Sequence, residues 1–332
     1  MAGEKIADKL QRQQYIKEKS LIRQSVSILD HQLIREQQFN RNPHLRKAGV
    51  KLPYTQEQVW EMNKCWRDPE YFINNYCYIV NLDKGLMKFR TREYQNNLIG
   101  LMHNNKRVIV KFPRQSGKTV TTAAYATWQI IFQPYSQIAI LANKAMTAKG
   151  ILQKVRLIYE SLPTWLQVGV VTWNKSSIEL ENGSRIEAAA TSSSAIRSMS
   201  ISTLIIDECA FVDAGVWEEF YASVYPTVSS SKESKIFLIS TPKGMNHFYK
   251  FWRDAVNKED TKSNFVHYEI AWDEPPGRDD KFKQDVIAEF GKDYWLQEFE
   301  CLCISTKIEV LDTITNKIME LNFGELKELL TQ

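Results

Sequence analysis

The sequence predicts an α/β protein built on a mostly parallel sheet, with helices on both faces and an inserted β-hairpin. Three observations lead there. From about residue 106 onward, apolar runs of strand length alternate with segments of helical period. Those runs are nearly unbroken, as in VIV at 108–110 and TLII at 203–206, which is the pattern of strands buried on both faces. SSIELENGSRIEAAA instead alternates apolar and polar residues around Asn182-Gly183, a pair suited to a two-residue type I′ hairpin turn.

The elements follow in chain order. Residues 1–51 hold eleven Lys and Arg against five Asp and Glu, and Ile6, Leu10, Ile22, Val26, Leu29 and Leu33 recur at mostly helical spacing. The spacing predicts a basic helical arm, either a solvated helix packed on its own domain or a contact for DNA or a partner. KRVIVKFP is expected as a strand, QSGKTVTTAAYATWQIIF as a helix, SQIAILA as a strand and MTAKGILQKVRLIYESL as a helix. After the hairpin, STLIIDE and KIFLIST are core strands, MNHFYKFWRDAV a helix, NFVHYEIAW a strand, and DDKFKQDVIAEF and KDYWLQEFE helices.

Composition narrows the class. With 332 residues, 43% hydrophobic and 25% charged, the chain has the profile of one large or two ordinary globular domains. No apolar run approaches a membrane span and the start is too polar for a signal peptide, so a cytoplasmic location is expected. The five cysteines, at 65, 77, 209, 301 and 303, make neither a disulfide framework nor a zinc pattern. A net charge of +4 is too mild to indicate nucleic acid by itself.

FPRQSGKT lies between a predicted strand and a predicted helix, where a phosphate-binding loop needs backbone N–H groups at a helix N-terminus, a Lys for the phosphates and a hydroxyl for magnesium. Gln115, Ser116, Gly117, Lys118 and Thr119 supply that loop, although the usual pattern has Gly where this chain has Phe112. Some ninety residues on, LIIDE ends an apolar strand in two carboxylates. Asp207 suits a magnesium site through water and Glu208 a general base on the attacking water. The pair points to ATP and Mg²⁺. SQIAILA, falling between the two motifs, suggests the class of P-loop enzymes with an extra strand between them, that of translocases and helicases. Arg114, inside the loop, could reach the γ-phosphate in cis or be an ordinary surface arginine. Ser240 and Thr241, ahead of Pro242, could sense the γ-phosphate or form a plain turn. Tyr94 and Gln95 could meet adenine by stacking and through the amide.

Together RQSGKT, LIIDECAF, STPKGMNHFY, VTWNKSSIELENGSRIEAAA and DPEYFINNYCYIVNLDKGLMKF, leading to Gln95, resemble the ATPase half of the large terminase subunit of tailed, myovirus-type phages across residues 52–300. The resemblance implies a motor that threads double-stranded DNA into a procapsid through a portal protein, with a small terminase subunit as partner, as a homo-oligomer at the portal vertex in the host cytoplasm. It implies phosphate and magnesium binding by Lys118 and Thr119, a cis arginine at Arg114, a Walker B pair at Asp207 and Glu208, adenine reading by Gln95, and coupling of hydrolysis to movement by Ser240 and Thr241. The family's second half, an RNase H-like nuclease, has no counterpart in the residues after Glu300. The alternative is a helicase-like DNA remodelling ATPase with an ordinary truncated end.

Residues 301–332 admit three readings: a last strand and helix of the same domain, a truncated end without function, or something chemical. CLCISTKIEVLDTITNKIMEL is a strand-turn-strand pattern followed by a charged helix, FGELKELL, and its start resembles the opening block of an intein: Cys301 first, Thr306 sixth, Ile308 eighth. In that reading Cys301 attacks the Glu300 carbonyl in an N-to-S acyl shift. The His-Asn end of an intein is missing, so residues 301–332 would be the N-terminal fragment of a split intein. A separate chain would carry the remainder and the nuclease half.

Overall fold

The computed structural model describes residues 33–81, 83–192, 200–229, 233–302, 307–312, 317–322 and 329. Five of the six apolar positions of the expected arm, Ile6 to Leu29, lie outside the described residues, as do Cys303, Thr306 and all but Leu329 of FGELKELL.

A short hairpin comes first, β1 (Gln38–Phe39) and β2 (Asn42–Arg46), followed by α1 (Gln56–Arg67), α2 (Pro69–Tyr76), a second hairpin of β3 (Tyr78–Asn81) and β4 (Gly85–Lys88), and α3 (Glu93–Asn104). The central region runs β5 (Arg107–Lys111), α4 (Lys118–Phe132), β6 (Gln137–Ala142), α5 (Ala145–Glu160), β7 (Val170–Trp173), β8 (Ser177–Leu180), β9 (Arg185–Ala190), β10 (Thr203–Asp207), α6 (Ala214–Ser229) and β11 (Lys235–Ser240). Then come α7 (His247–Val256), α8 (Lys258–Thr261), β12 (Val266–Glu269), α9 (Asp280–Phe290), α10 (Lys292–Glu298), and the two strands β13 (Lys307–Asp312) and β14 (Lys317–Asn322).

Eight strands form one sheet in the order β12-β5-β11-β10-β6-β9-β8-β7. The first six are parallel, and β8 and β7 continue the edge antiparallel. Side chains alternate between faces along each strand. Val108, Val110, Ile140, Ile205 and Phe237 join one buried cluster with α3, α4 and α5, while Ile109, Leu141, Leu204, Ile206 and Leu238 join the other with α6 and α7. Covering both faces explains the unbroken apolar runs of the core strands. A third cluster around Trp295 and Phe299 joins α9 and α10.

Three expectations need correction. Residues 33–51 are not a helical arm. They contain one short 3₁₀ turn (Arg35–Gln37) and the β1–β2 hairpin, whose loop residues Asn40 and Arg41 both have positive φ. Tertiary partners decide this: Arg46 N–H donates to Gln167 Oε1 (3.0 Å), the Arg46 guanidinium pairs with Glu181 (3.1 Å), and Ala48 N–H donates to the Val170 carbonyl (3.2 Å). The β8–β9 hairpin exists, but its loop is not a two-residue type I′ turn. Gly183 N–H donates to the Leu180 carbonyl (3.0 Å), and only Gly183 has positive φ (+78°), the three-residue loop with a glycine bulge. Finally, the strand between the two motif strands is β11, not β6. SQIAILA lies between the motifs in sequence but on the far side of β10 in the sheet.

β13 and β14 pair antiparallel, Lys307 opposite Asn322, in a two-stranded sheet of their own. These are the two strands expected there; the residues between them, 313–316, lie outside the described residues.

Candidate nucleotide-binding site

The C-terminal ends of the parallel strands bring the sequence motifs together, as the crevice at strand ends does in open α/β sheets. β5 leads into the loop before α4, and Gly117 stands at the helix N-cap with φ +81°. Glycine is needed here twice over, for that backbone angle and because an added Cβ would lie 2.5 Å from Gln95 Nε2. Ser116 Oγ donates to the Pro113 carbonyl (2.8 Å), and the Tyr94 hydroxyl donates to the Ser116 carbonyl (3.0 Å), so the loop is fastened from inside and from α3. Phe112, where the usual motif has glycine, is fully buried and packs edge-on against Tyr94 and Tyr268. The departure from the motif is thus a core residue that anchors the root of the loop.

Across the crevice Thr119 Oγ1 donates to Asp207 Oδ2 (3.0 Å). Asp207 ends β10, level with Ala142 of β6 and Ile239 of β11. Burial raises its carboxyl above the usual range, against the pull of the nearby Lys118 ammonium and the Thr119 hydrogen bond. Burial likewise lowers Lys118, with Asp207 opposing. Glu208 follows in the left-handed region (φ 52°, ψ 36°), a conformation costing a non-glycine residue on the order of 1–2 kcal/mol. Burial, then the Asp207 charge, raises the Glu208 carboxyl.

The donor set is hydroxyl and carboxylate oxygen, the hard ligands Mg²⁺ takes when it keeps waters and substrate phosphates for the remaining positions. Among the described residues no cluster of three or more His, Cys, Asp or Glu could hold a metal ion by itself. The oxygen pair at Thr119 and Asp207 therefore fits a metal carried in with a phosphate ligand rather than one held by protein alone.

The remaining predicted residues take specific places. Ser240 and Thr241 are buried at the end of β11, beside β10, and Ser240 Oγ accepts from Ala210 N–H (3.1 Å), two residues beyond Glu208. Arg114 is engaged by Glu298 and Arg278: its N–H donates to the Glu298 carbonyl (2.8 Å), its guanidinium lies 3.6 Å from the Glu298 carboxylate, and Arg278 donates to its carbonyl, while its charge still reaches the Glu208 carboxyl. Tyr94 and Gln95 stand behind the loop, both buried, with Gln95 Oε1 taken by Arg92 N–H (3.0 Å). Cys301 is buried, with φ 56°, and lies close enough to the loop for the charges of Lys111 and Lys118 to act on its thiol.

Sequence reasoning missed the clamp on Arg114 made by Glu298 and Arg278, and the residues that hold the turn after Glu208. Asn246 Nδ2 donates to the Ala210 carbonyl (2.6 Å) and His247 Nε2 meets the Cys209 carbonyl (2.8 Å). Only proximity to Ser240 in STPKGMNHFY could have hinted at the latter pair.

A phosphate loop at the head of α4, a hydroxyl–carboxylate pair across the crevice and a second carboxylate beyond it, on a mostly parallel sheet, define a P-loop NTPase-like α/β domain. The family profile described as terminase large subunit, T4likevirus-type, N-terminal, matches residues 109–314, more than half of the chain, and the chain belongs to that family. The large terminase subunit of Thermus phage G20c is 26% identical over 227 residues, 56% of this chain and 46% of that protein. The solved ATPase domain of the Thermus phage P74-26 large terminase superposes with a TM-score of 0.50 at 22% identity, covering 64% of this chain and 94% of that one. The HK97 bacteriophage large terminase gives a TM-score of 0.60 at 16% identity, covering 73% of this chain and 56% of that one. The chain spans less than half the length of the curated relatives it matches.

Proposed function

We propose that residues 52–300 are the ATP-hydrolysing part of a large terminase, a motor that drives double-stranded DNA into a procapsid. The observation that carries this is the Thr119–Asp207 hydrogen bond, which joins the two nucleotide motifs across one crevice. Loop N–H groups at the head of α4 and the Lys118 ammonium would receive the phosphates. Thr119 and Asp207 would hold Mg²⁺, which when bound neutralises charge on the β- and γ-phosphates. Glu208 would take the proton of the attacking water, and its raised pKa brings it closer to neutral, where a general base works best. Arg114 would stabilise charge at the γ-phosphate once released from Glu298. Ser240 would pass the change onward through its bond to the turn after Glu208. Portal protein and small terminase subunit are the expected partners, the portal vertex in the host cytoplasm the expected place, and assembly as a homo-oligomer the expected working form. The test is Mg²⁺-dependent ATP hydrolysis by the full chain, with and without duplex DNA. Activity lost in Lys118→Ala and Glu208→Gln supports the motor, and hydrolysis indifferent to both refutes it.

For the tail we propose an N-terminal split-intein fragment from Cys301, joined by trans-splicing to a separate chain carrying the complementary fragment and a nuclease half. The Cys301, Thr306, Ile308 spacing and the β13–β14 pair support it. In the present conformation burial pushes the Cys301 thiol up to about 12, and Glu300 accepts hydrogen bonds from Trp295 Nε1 (2.9 Å) and Lys283 (3.1 Å). Attack on the Glu300 carbonyl therefore needs this segment lifted from its bed when the complementary fragment docks. A second reading, ordinary continuation of the terminase domain, is favoured by the family profile running to residue 314, past the Glu300–Cys301 bond. Mixing this chain with the candidate second chain separates the two: a ligated product lost in Cys301→Ala supports splicing, and its absence with the native pair supports continuation.

A further inference from the structure

The turn after Glu208 is bound almost group by group to one neighbouring segment, residues 240–247. Ala210 N–H donates to Ser240 Oγ (3.1 Å) and the Ala210 carbonyl accepts from Asn246 Nδ2 (2.6 Å). The Cys209 carbonyl accepts from His247 Nε2 (2.8 Å), which fixes the proton on that nitrogen because a carbonyl can only accept. Both side chains are themselves held. Asn246 Oδ1 caps α7 by accepting from Phe248 N–H (3.0 Å) and Tyr249 N–H (3.3 Å). The His247 ring stacks on Trp217 of α6, centroids 4.3 Å apart and planes 11° from parallel. A helix cap and a ring stack thus fix two donors, and the two donors fix the carbonyls next to a residue in the left-handed region. Strained backbone of that kind persists only where its surroundings over-determine it.

We propose that Asn246 and His247 are positioning residues for hydrolysis, holding the Glu208 carboxylate in its working orientation by clamping the Cys209–Ala210 carbonyls. The proposal rests on the reading of Glu208 as the base. Neither side chain touches the crevice groups directly, so their effect falls on turnover rather than on nucleotide binding. The same clamp ties Glu208 to α6 and α7, so any shift of Ser240 reaches the carboxylate and both helices together.

The test uses variants that spare the supporting contacts. Asn246→Asp keeps an oxygen to cap α7 but loses the donor to Ala210; His247→Phe keeps a ring on Trp217 but loses the donor to Cys209. His247→Gln restores a side-chain N–H. Steady-state ATP hydrolysis and ADP binding are measured for each full-length variant beside Glu208→Gln. The expected result is a kcat lowered about tenfold or more in Asn246→Asp and His247→Phe, with KM for ATP and Kd for ADP within about twofold, and partial recovery in His247→Gln. Wild-type kcat in the first two variants, parallel losses in ADP affinity, or equal loss in His247→Gln and His247→Phe would overturn the proposal. If Glu208→Gln itself turns over like wild type, the reading of the base fails instead.

Discussion

Arg114 is tied to Glu298 twice, by its backbone N–H to the Glu298 carbonyl at 2.8 Å and by its guanidinium to the Glu298 carboxylate at 3.6 Å. The arginine of the phosphate loop is thereby parked on the last core helix, α10. Glu298→Gln keeps the backbone bond and removes the charge. Because the arginine side chain is 56% exposed, the ion pair is worth at most about 1 kcal/mol, so ATP affinity should rise by no more than about fivefold. Arg114→Ala should lower kcat by about 10³ or more if the residue acts on the γ-phosphate. Titration of ATP against both variants checks the pair.

Glu208 should trade stability for function. A raised folded-state pKa means the folded chain holds the proton more tightly than the unfolded one, so the ionised carboxylate works against folding at neutral pH and not below the ordinary carboxylate range. Glu208→Gln is expected to raise Tm at neutral pH, with the gain shrinking as pH falls from the raised carboxyl's range toward the ordinary value of about 4 and absent below it. Melting curves across pH decide it, and a gain that grows toward acid would contradict the assignment. In the active chain the acid limb of kcat should lie above the pH range of an ordinary carboxylate.

Phe112 should be intolerant of the residue its motif ordinarily carries. It is fully buried against Tyr94 and Tyr268, so Phe112→Ala should cost about 3–5 kcal/mol in urea unfolding. Phe112→Gly should cost at least as much. A neutral result would mean the aromatic does not anchor the loop.

How much of this was legible beforehand follows from which physics each residue obeys. The core strands were readable because burial on both faces leaves a continuous apolar signature, and the placement of Lys118, Thr119, Asp207 and Glu208 around one crevice was foreshadowed because their residue types stand at the ends of such strands. Strand order was not: that β11 rather than β6 separates β5 from β10 is decided by crossovers, which sequence order does not encode. The stretch from Leu33 to Lys51 was misread because its partners, Gln167, Glu181 and Val170, lie more than a hundred residues away. α6 was passed over although Trp217, Phe220, Val224 and Val228 recur at helical spacing. Tyr94 and Gln95 were read from TREYQ as possible adenine contacts; that both are buried, with the Tyr94 hydroxyl on the Ser116 carbonyl, is a tertiary fact no spacing reveals.

Cys301 should be chemically quiet in the folded chain. With its thiol pushed up to about 12, the thiolate fraction at mildly alkaline pH falls on the order of a thousandfold below that of a free cysteine. Iodoacetamide labelling read by peptide mass spectrometry should therefore be slow in the native chain and rapid in urea. If Cys301 initiates splicing, labelling should quicken when the complementary fragment is added. Fast labelling of the native chain alone would contradict its burial.

The most direct test of the central claim is Mg²⁺-dependent ATP hydrolysis by the full chain with duplex DNA present, measured for wild type, Lys118→Ala and Glu208→Gln. The Thr119–Asp207 junction predicts turnover in wild type, loss of nucleotide binding in Lys118→Ala, and retained binding with kcat lowered at least a hundredfold in Glu208→Gln. Equal hydrolysis by all three chains would contradict it.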